Sequence, residues 1–418
     1  MARYALLAAA LLGLTVAQTP GTTPEVHPKL TTWKCTKRGG CKAQNTAIVT
    51  DAAAHNIHQK NNTSLGCGSW GNGPDPTACP TKEACAQNCI IEGISDYSTV
   101  GVFTKGSDLR LDMYNPSGGF SSPRVYLLSE DEKNYQMLKL TGNELTFDVD
   151  MSKLPCGMNG ALYLSEMRAD GGRSKLNPKG AAYGTGYCDA QCFVTPWING
   201  EGNVQKQGVC CNEMDIWEAN SQATQIAPHT CSKPSLFGCT GDECGKTGLC
   251  DKIGCADNPY NQRGDKSYYG PHLKVDTTRP FTVVTQFPAK NGVLQAIVRK
   301  YVQDGVVIEN ATKNIIMDQA YCSAQGGAEM YNKLGGHKGM GDALSRGMVL
   351  AMSVWWDESG AMQWLDSGAS GRCNSTEGFP AEILKKVKNP TVTFSKIKWG
   401  EIGSTFAEKK AASKRWEA

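Results

Sequence analysis

Three carboxylates fall within six residues of this chain, in Cys210-Cys211-Asn212-Glu213-Met214-Asp215-Ile216-Trp217-Glu218-Ala219-Asn220. Their neighbours are apolar, which places the cluster in a partly dry site. Crowding anions there raises the pKa of at least one of them, so that one carboxyl stays protonated beside another that is ionised. Cleavage of a glycosidic bond needs that pair. One carboxylate attacks the anomeric carbon while the other carboxyl protonates the leaving oxygen, the two lying about 5 to 5.5 Å apart when configuration is retained. On this reading Glu213 is the nucleophile, Glu218 is acid and then base, and Asp215 sits beside Glu213 and tunes its charge and orientation. His229, in Ala227-Pro228-His229-Thr230, is a candidate supporting group. The bland reading stands beside it. Glu-x-Asp-x-x-Glu occurs by chance about once in two or three chains of this length, so spacing alone favours a solvated strand edge, and a lone histidine is more often structural.

Strand geometry sharpens the question. On an unbroken strand Glu213 and Asp215 share a face, whereas Glu218, five residues on, points the other way. A bulge between Ile216 and Glu218 would bring it round, and bulges re-aim side chains beside active sites, so one is expected there. The elements that must carry this strand are also strands. Apolar and polar residues alternate over 109–113, 145–149, 281–287 and 391–399, while 124–128 and 347–355 are more continuously apolar, as in strands buried on both faces. Helical pattern is sparse: 81–88, with Thr81 as a cap, and 339–346. Two large antiparallel sheets packed face to face are expected, with loops left over to build a groove. No repeat or Ser/Thr/Pro-rich linker divides the chain, which reads as one all-β domain over 18–406 with a charged tail at 407–418. The same outline suits a non-catalytic lectin, which would need the groove but not the acid/base pair.

Composition narrows the classes further. With 40% hydrophobic and 20% charged residues the chain is globular, and its 43 Lys and Arg are scattered among 40 Asp and Glu, without the basic stripe of a nucleic-acid binder. Residues 1–17 combine Arg3, an apolar run over 4–14 and a small-residue site at Thr15-Val16-Ala17, the pattern of a secretory signal. The run is shorter than the about 20 residues that span a bilayer, so no membrane partner is expected. Eighteen cysteines then read as nine disulfides. Cys85-x3-Cys89 and Cys188-x3-Cys192 also have a zinc-like spacing, but a secreted context and the vicinal Cys210-Cys211 pair favour cross-links, with connectivity left open. Glycosylation sequons at Asn61, Asn62, Asn310 and Asn374 agree with secretion.

The whole stretch 210–220 resembles the active-site strand of glycoside hydrolase family 7. The likeness continues through Glu25-Val-His-Pro-Lys-Leu30, Phe147-Asp-Val-Asp150, Leu154-Pro-Cys-Gly157, Tyr183-Gly-Thr-Gly-Tyr-Cys-Asp-Ala-Gln-Cys192, Val284-Thr-Gln-Phe287 and Gly400-Glu-Ile-Gly-Ser-Thr405. The resemblance implies a β-jelly-roll sandwich with a long cellulose-binding cleft, retaining chemistry, and no metal or organic cofactor. It matches Glu213 to the family's nucleophile, Asp215 to the assisting acid, Glu218 to the acid/base and His229 to a histidine lining the site. Tyr163, Tyr187, Asp189 and Gln191 fall where the family places polar contacts to sugars. Trp355 and Trp364 match aromatic platforms for the apolar C–H faces of sugar rings, whereas Trp356 reads as core and Trp217 as packing beneath the carboxylates. The family includes endoglucanases with open grooves and cellobiohydrolases with roofed tunnels. Connections 197–210 and 364–373 are short where tunnel forms carry insertions, 51–58 lacks their tryptophans, and Asn261 stands in place of a product-binding arginine. The expectation is therefore a secreted, monomeric endo-1,4-β-glucanase acting on cellulose and soluble β-glucan chains, with a cellobiohydrolase as the alternative within the family.

Overall fold

Alternating apolar residues lay down the inner faces of the strands. In Asn143–Asp150, Leu145, Phe147 and Val149 are buried in the core, and in Thr391–Glu401 so are Val392, Phe394, Ile397 and Trp399. The period of two slips between Phe394 and Ile397, where Lys396 adopts a positive φ of 50° and the pairing with Asn143–Asp150 shifts register. The computed structural model describes residues 19–308 and 315–407. The secretory segment 1–17, the sequon residue Asn310 and all but the first residue of the 407–418 tail lie outside the described residues.

The principal strands form one hydrogen-bonded path. It runs Thr224–His229, Glu213–Ala219, Met158–Ser165, Met348–Trp356, Arg124–Leu128, Gly40–Thr50, Lys29–Thr36, Thr391–Glu401, Asn143–Asp150, Phe281–Gln286, Ala296–Gln303 and Val306–Ile308. Neighbours along it are antiparallel except Lys29–Thr36 with Thr391–Glu401, which are parallel. The path folds back on itself. Trp217, fully buried near one end, meets Phe147, Phe281 and Tyr301 from near the other end edge-on, with ring centroids 6.1, 5.8 and 6.1 Å apart. This makes the expected β-jelly-roll sandwich, with the core between its two layers. Helices are short and lie at the edges. Lys82–Asn88 begins under a Thr81 cap whose side chain accepts from the Ala84 amide, as expected, and Gly336–Arg346 starts three residues before the expected point. Trp356 is half-buried and packs against the core, with Tyr114 and Phe120 beside it.

All eighteen cysteines pair. Cys85 joins Cys79, Cys89 joins Cys67, Cys188 joins Cys211 and Cys192 joins Cys210, so the spacings that resembled zinc ligands belong to cross-links. Five more bridges close the set, of which Cys156–Cys373 ties the start of Met158–Ser165 to the loop after helix Gln363–Asp366.

Phe147 is fully buried between Trp217 and Phe394. Phe147→Ala is expected to cost about 3–5 kcal/mol of stability. The check is a lower urea midpoint at an unchanged slope.

Candidate active site

The site begins with a miscount between two strands. Against Thr224–His229, Asp215 pairs with Ala227 and Glu218 with Gln225: three steps on one strand, two on the other. The neighbour on the opposite side agrees, with Met214 against Leu164 and Trp217 against Leu162. One extra residue is accommodated at Ile216-Trp217, where both side chains enter the core and are fully buried. Glu218 therefore emerges on the same face as Glu213 and Asp215, by the bulge the spacing required. Arg299, 3% exposed on Ala296–Gln303 of the facing layer, reaches across the sandwich and donates from Nη2 to the Ile216 carbonyl and from Nε to Thr285 Oγ1.

Each carboxylate is held differently. The Cys188–Cys211 and Cys192–Cys210 bridges clamp the 187–192 loop onto the start of the strand, and the Ala190 amide donates to Glu213 Oε2 at 3.0 Å. Asp189 organises that loop, accepting from the Tyr187 hydroxyl at 2.9 Å and from the Gln191 and Cys192 amides at 2.9 and 3.1 Å. Tyr163 and Tyr187 join hydroxyls at 3.1 Å, and the Gln191 side chain donates to the Lys252 carbonyl at 3.0 Å. Asp215 Oδ2 lies 3.0 Å from His229 Nε2. Glu218 Oε1 accepts from Asn159 Nδ2 at 3.0 Å, while Asn159 Oδ1 accepts from the Ala219 amide at 3.1 Å, fixing the residue on the far side of the bulge.

Burial governs the charges. It is the first cause that pushes Glu213 well above the ordinary carboxylate range, with Asp215 and Asp189 adding to it; the Ala190 amide acts the other way. Asp215 is raised by burial and then by Asp189. Glu218 is raised to about 8, by burial first and by Asp215 second. Lys252, whose ammonium donates to the Ala190 carbonyl at 2.8 Å, is lowered to about 8 by burial. A cluster of this kind keeps a proton on Glu218 through neutral pH.

All ten residues singled out from the sequence, Glu213, Asp215, Glu218, His229, Tyr163, Tyr187, Asp189, Gln191, Trp355 and Trp364, line one cleft of about 860 Å³. Trp355 and Trp364 stack at 6.4 Å. Asn261 is exposed and lies outside this lining. Sequence reasoning missed Asn159, Arg299, Arg124, Trp70 and Phe193. Two of these carried a local signal: Asn159 interrupts a strand that is otherwise almost wholly apolar, and Trp70 sits in a glycine-rich turn where a core residue has nothing to fill.

A β-sandwich whose cleft sets two glutamates on one face of one strand, one held by a backbone amide and the other by an asparagine, defines a carboxylate-pair glycoside hydrolase. The chain belongs to glycosyl hydrolase family 7, whose model matches residues 20–406. It is 58% identical to Endoglucanase 1 of Pyricularia oryzae, over 97% of this chain and 98% of that protein. The native structure of the Humicola insolens endocellulase EGI superposes with a TM-score of 0.90 at 55% identity, covering 93% of this chain and all of that one. A family 7 cellobiohydrolase from Daphnia pulex is less similar, at a TM-score of 0.85 and 36% identity over 93% of this chain and all of that one.

A raised pKa makes Glu218 a pH-dependent element of stability. Its folded value of about 8 lies above its ordinary 4.5, so its contribution is fully present below about 4.5 and is lost as pH rises through about 8. Between those limits wild type should lose stability relative to Glu218→Gln by up to about 1.4 kcal/mol per pH unit. Denaturation of both proteins from pH 4.5 to 8.5 checks this, and parallel curves would contradict it.

Proposed function

We propose that this chain is an endo-1,4-β-glucanase that cleaves internal bonds of cellulose and soluble β-glucans with retention of configuration. The observation that carries the mechanism is the bulge that turns Glu218 onto the face of Glu213. Glu213, steadied by the Ala190 amide, attacks the anomeric carbon as Glu218 passes its proton to the glycosidic oxygen and the leaving chain departs. Water then enters, Glu218 takes its proton, and the hydroxyl releases the sugar from Glu213. Asp215, whose Oδ2 lies 3.0 Å from His229 Nε2, sits beside Glu213 on the same face of the strand and tunes its charge and orientation.

Exposure favours internal cutting. Trp70, Phe193 and Trp364 line the cleft yet remain 43%, 51% and 40% exposed, so these walls are not roofed. Residues 197–202 form only a tight hairpin, Trp197–Ile198 with Glu201–Gly202, and 51–54 presents Asp51, Ala53 and Ala54 rather than tryptophan. A groove open along its length accepts a chain at any point. Residues 18–406 act as one catalytic unit, working as a monomer, and 1–17 direct it out of the cell, in keeping with the extracellular substrate.

Viscosity loss against reducing ends released from carboxymethylcellulose tests both parts, with Glu213→Gln as the blank. A steep viscosity fall at few new ends, absent from the variant, is expected, and Asp215→Asn should retain more activity than Glu213→Gln. Slow viscosity loss with steady cellobiose release would indicate an exo enzyme. No release by wild type would indicate a glucan-binding protein.

A further inference from the structure

The structure assigns a further sugar-binding platform to Trp70 and Phe193, a subsite for a β-1,4-linked glucosyl unit away from the bond being cut; it rests on the glucanase reading above. Both rings line the same cleft as the carboxylates but come from separate loops. Trp70 stands at the tip of a small hairpin, Gly68–Ser69 paired with Gly73–Pro74, whose turn uses positive φ at Gly71 (82°) and Gly73 (79°). The Cys67–Cys89 bridge ties down its base, and the Gly71 amide donates to the Val194 carbonyl at 2.8 Å, one residue beyond Phe193. The two rings are thereby held 6.1 Å apart, tilted at 50°.

This pair is continuous with the catalytic machinery. Trp70 lies 6.1 Å from Tyr187, and the Arg124 guanidinium sits 3.5 Å over Tyr187 and 5.4 Å from the Trp70 ring. Asp51 Oδ2 fixes Arg124 by accepting from Nε at 3.2 Å and Nη2 at 2.9 Å. From Tyr187 the contacts pass through Asp189 and the Ala190 loop to Glu213. Ordering two large aromatics while leaving about half of each in water gives folding little in return, whereas the apolar C–H face of a pyranose would cover them. Ser121 and Ser122 line the same cleft, where their hydroxyls would face those of a sugar. Trp355 and Trp364 come from different elements, Met348–Trp356 and Gln363–Asp366, and stack on each other, so the cleft has two separately built aromatic stations.

The test measures binding without turnover, in the Glu213→Gln background, by calorimetry with cellotriose and cellohexaose. Adding Trp70→Ala should weaken cellohexaose about tenfold more than cellotriose, equivalent to about 1.4 kcal/mol. Phe193→Ala should act in the same direction, and Trp70→Phe should recover most of the loss. Equal weakening at both lengths would mean that the hairpin only supports the fold, and no weakening would mean that the rings touch no sugar; either overturns the platform while leaving the glucanase reading intact. Failure of the Glu213→Gln parent to bind either oligosaccharide would overturn both.

Discussion

One extra residue in the Glu213–Ala219 strand sets the chemistry of the whole molecule. A regular strand would send Glu218 into the sandwich, where an unpaired carboxylate is too costly to keep. The bulge sends Ile216 and Trp217 inward together, and the core is built to receive both. Phe147, Phe281 and Tyr301 surround the indole, and Arg299 satisfies the Ile216 carbonyl that the disturbed ladder leaves over. Core packing and acid placement are thus one constraint: what buries Trp217 also delivers Glu218 to the cleft.

The outer shell works against electrostatic cost. Glu213, Asp215 and Asp189 all have carboxyls raised by burial, and left alone they would drive the loop and strand apart. Two bridges from the 187–192 loop to the vicinal Cys210 and Cys211 oppose that separation covalently. They sit within three residues of Glu213, so the amide that steadies it is placed by a covalent clamp rather than by a mobile loop. Rigid placement of such donors is what makes them effective against charge that develops during reaction.

Much of this was legible in the sequence because it is local. The five-residue offset from Glu213 to Glu218 marked the bulge, and period-two segments marked the layers. The fold and the cleft membership of the ten candidate residues followed from strand pattern together with family resemblance. What escaped depends on contacts distant in sequence. Arg299 lies 83 residues from the carbonyl it serves, and Cys156 and Cys373 are 217 apart, so no window of sequence displays either pairing. Asp189 and Gln191, matched by resemblance to sugar contacts, hold the loop itself, Asp189 by accepting from backbone amides and Gln191 by donating to the Lys252 carbonyl, roles visible only once those backbone groups are in place.

The most direct test of Glu213 as the nucleophile is to trap its glycosyl ester with a slowly turned-over 2-fluoro cellobioside and locate the adduct by peptide mass spectrometry. Retaining chemistry on this strand predicts one glycosyl increment on Glu213, formed by wild type and absent from Glu213→Gln. An adduct on Glu218 or Asp215, or no adduct together with an inverted first product, would contradict it.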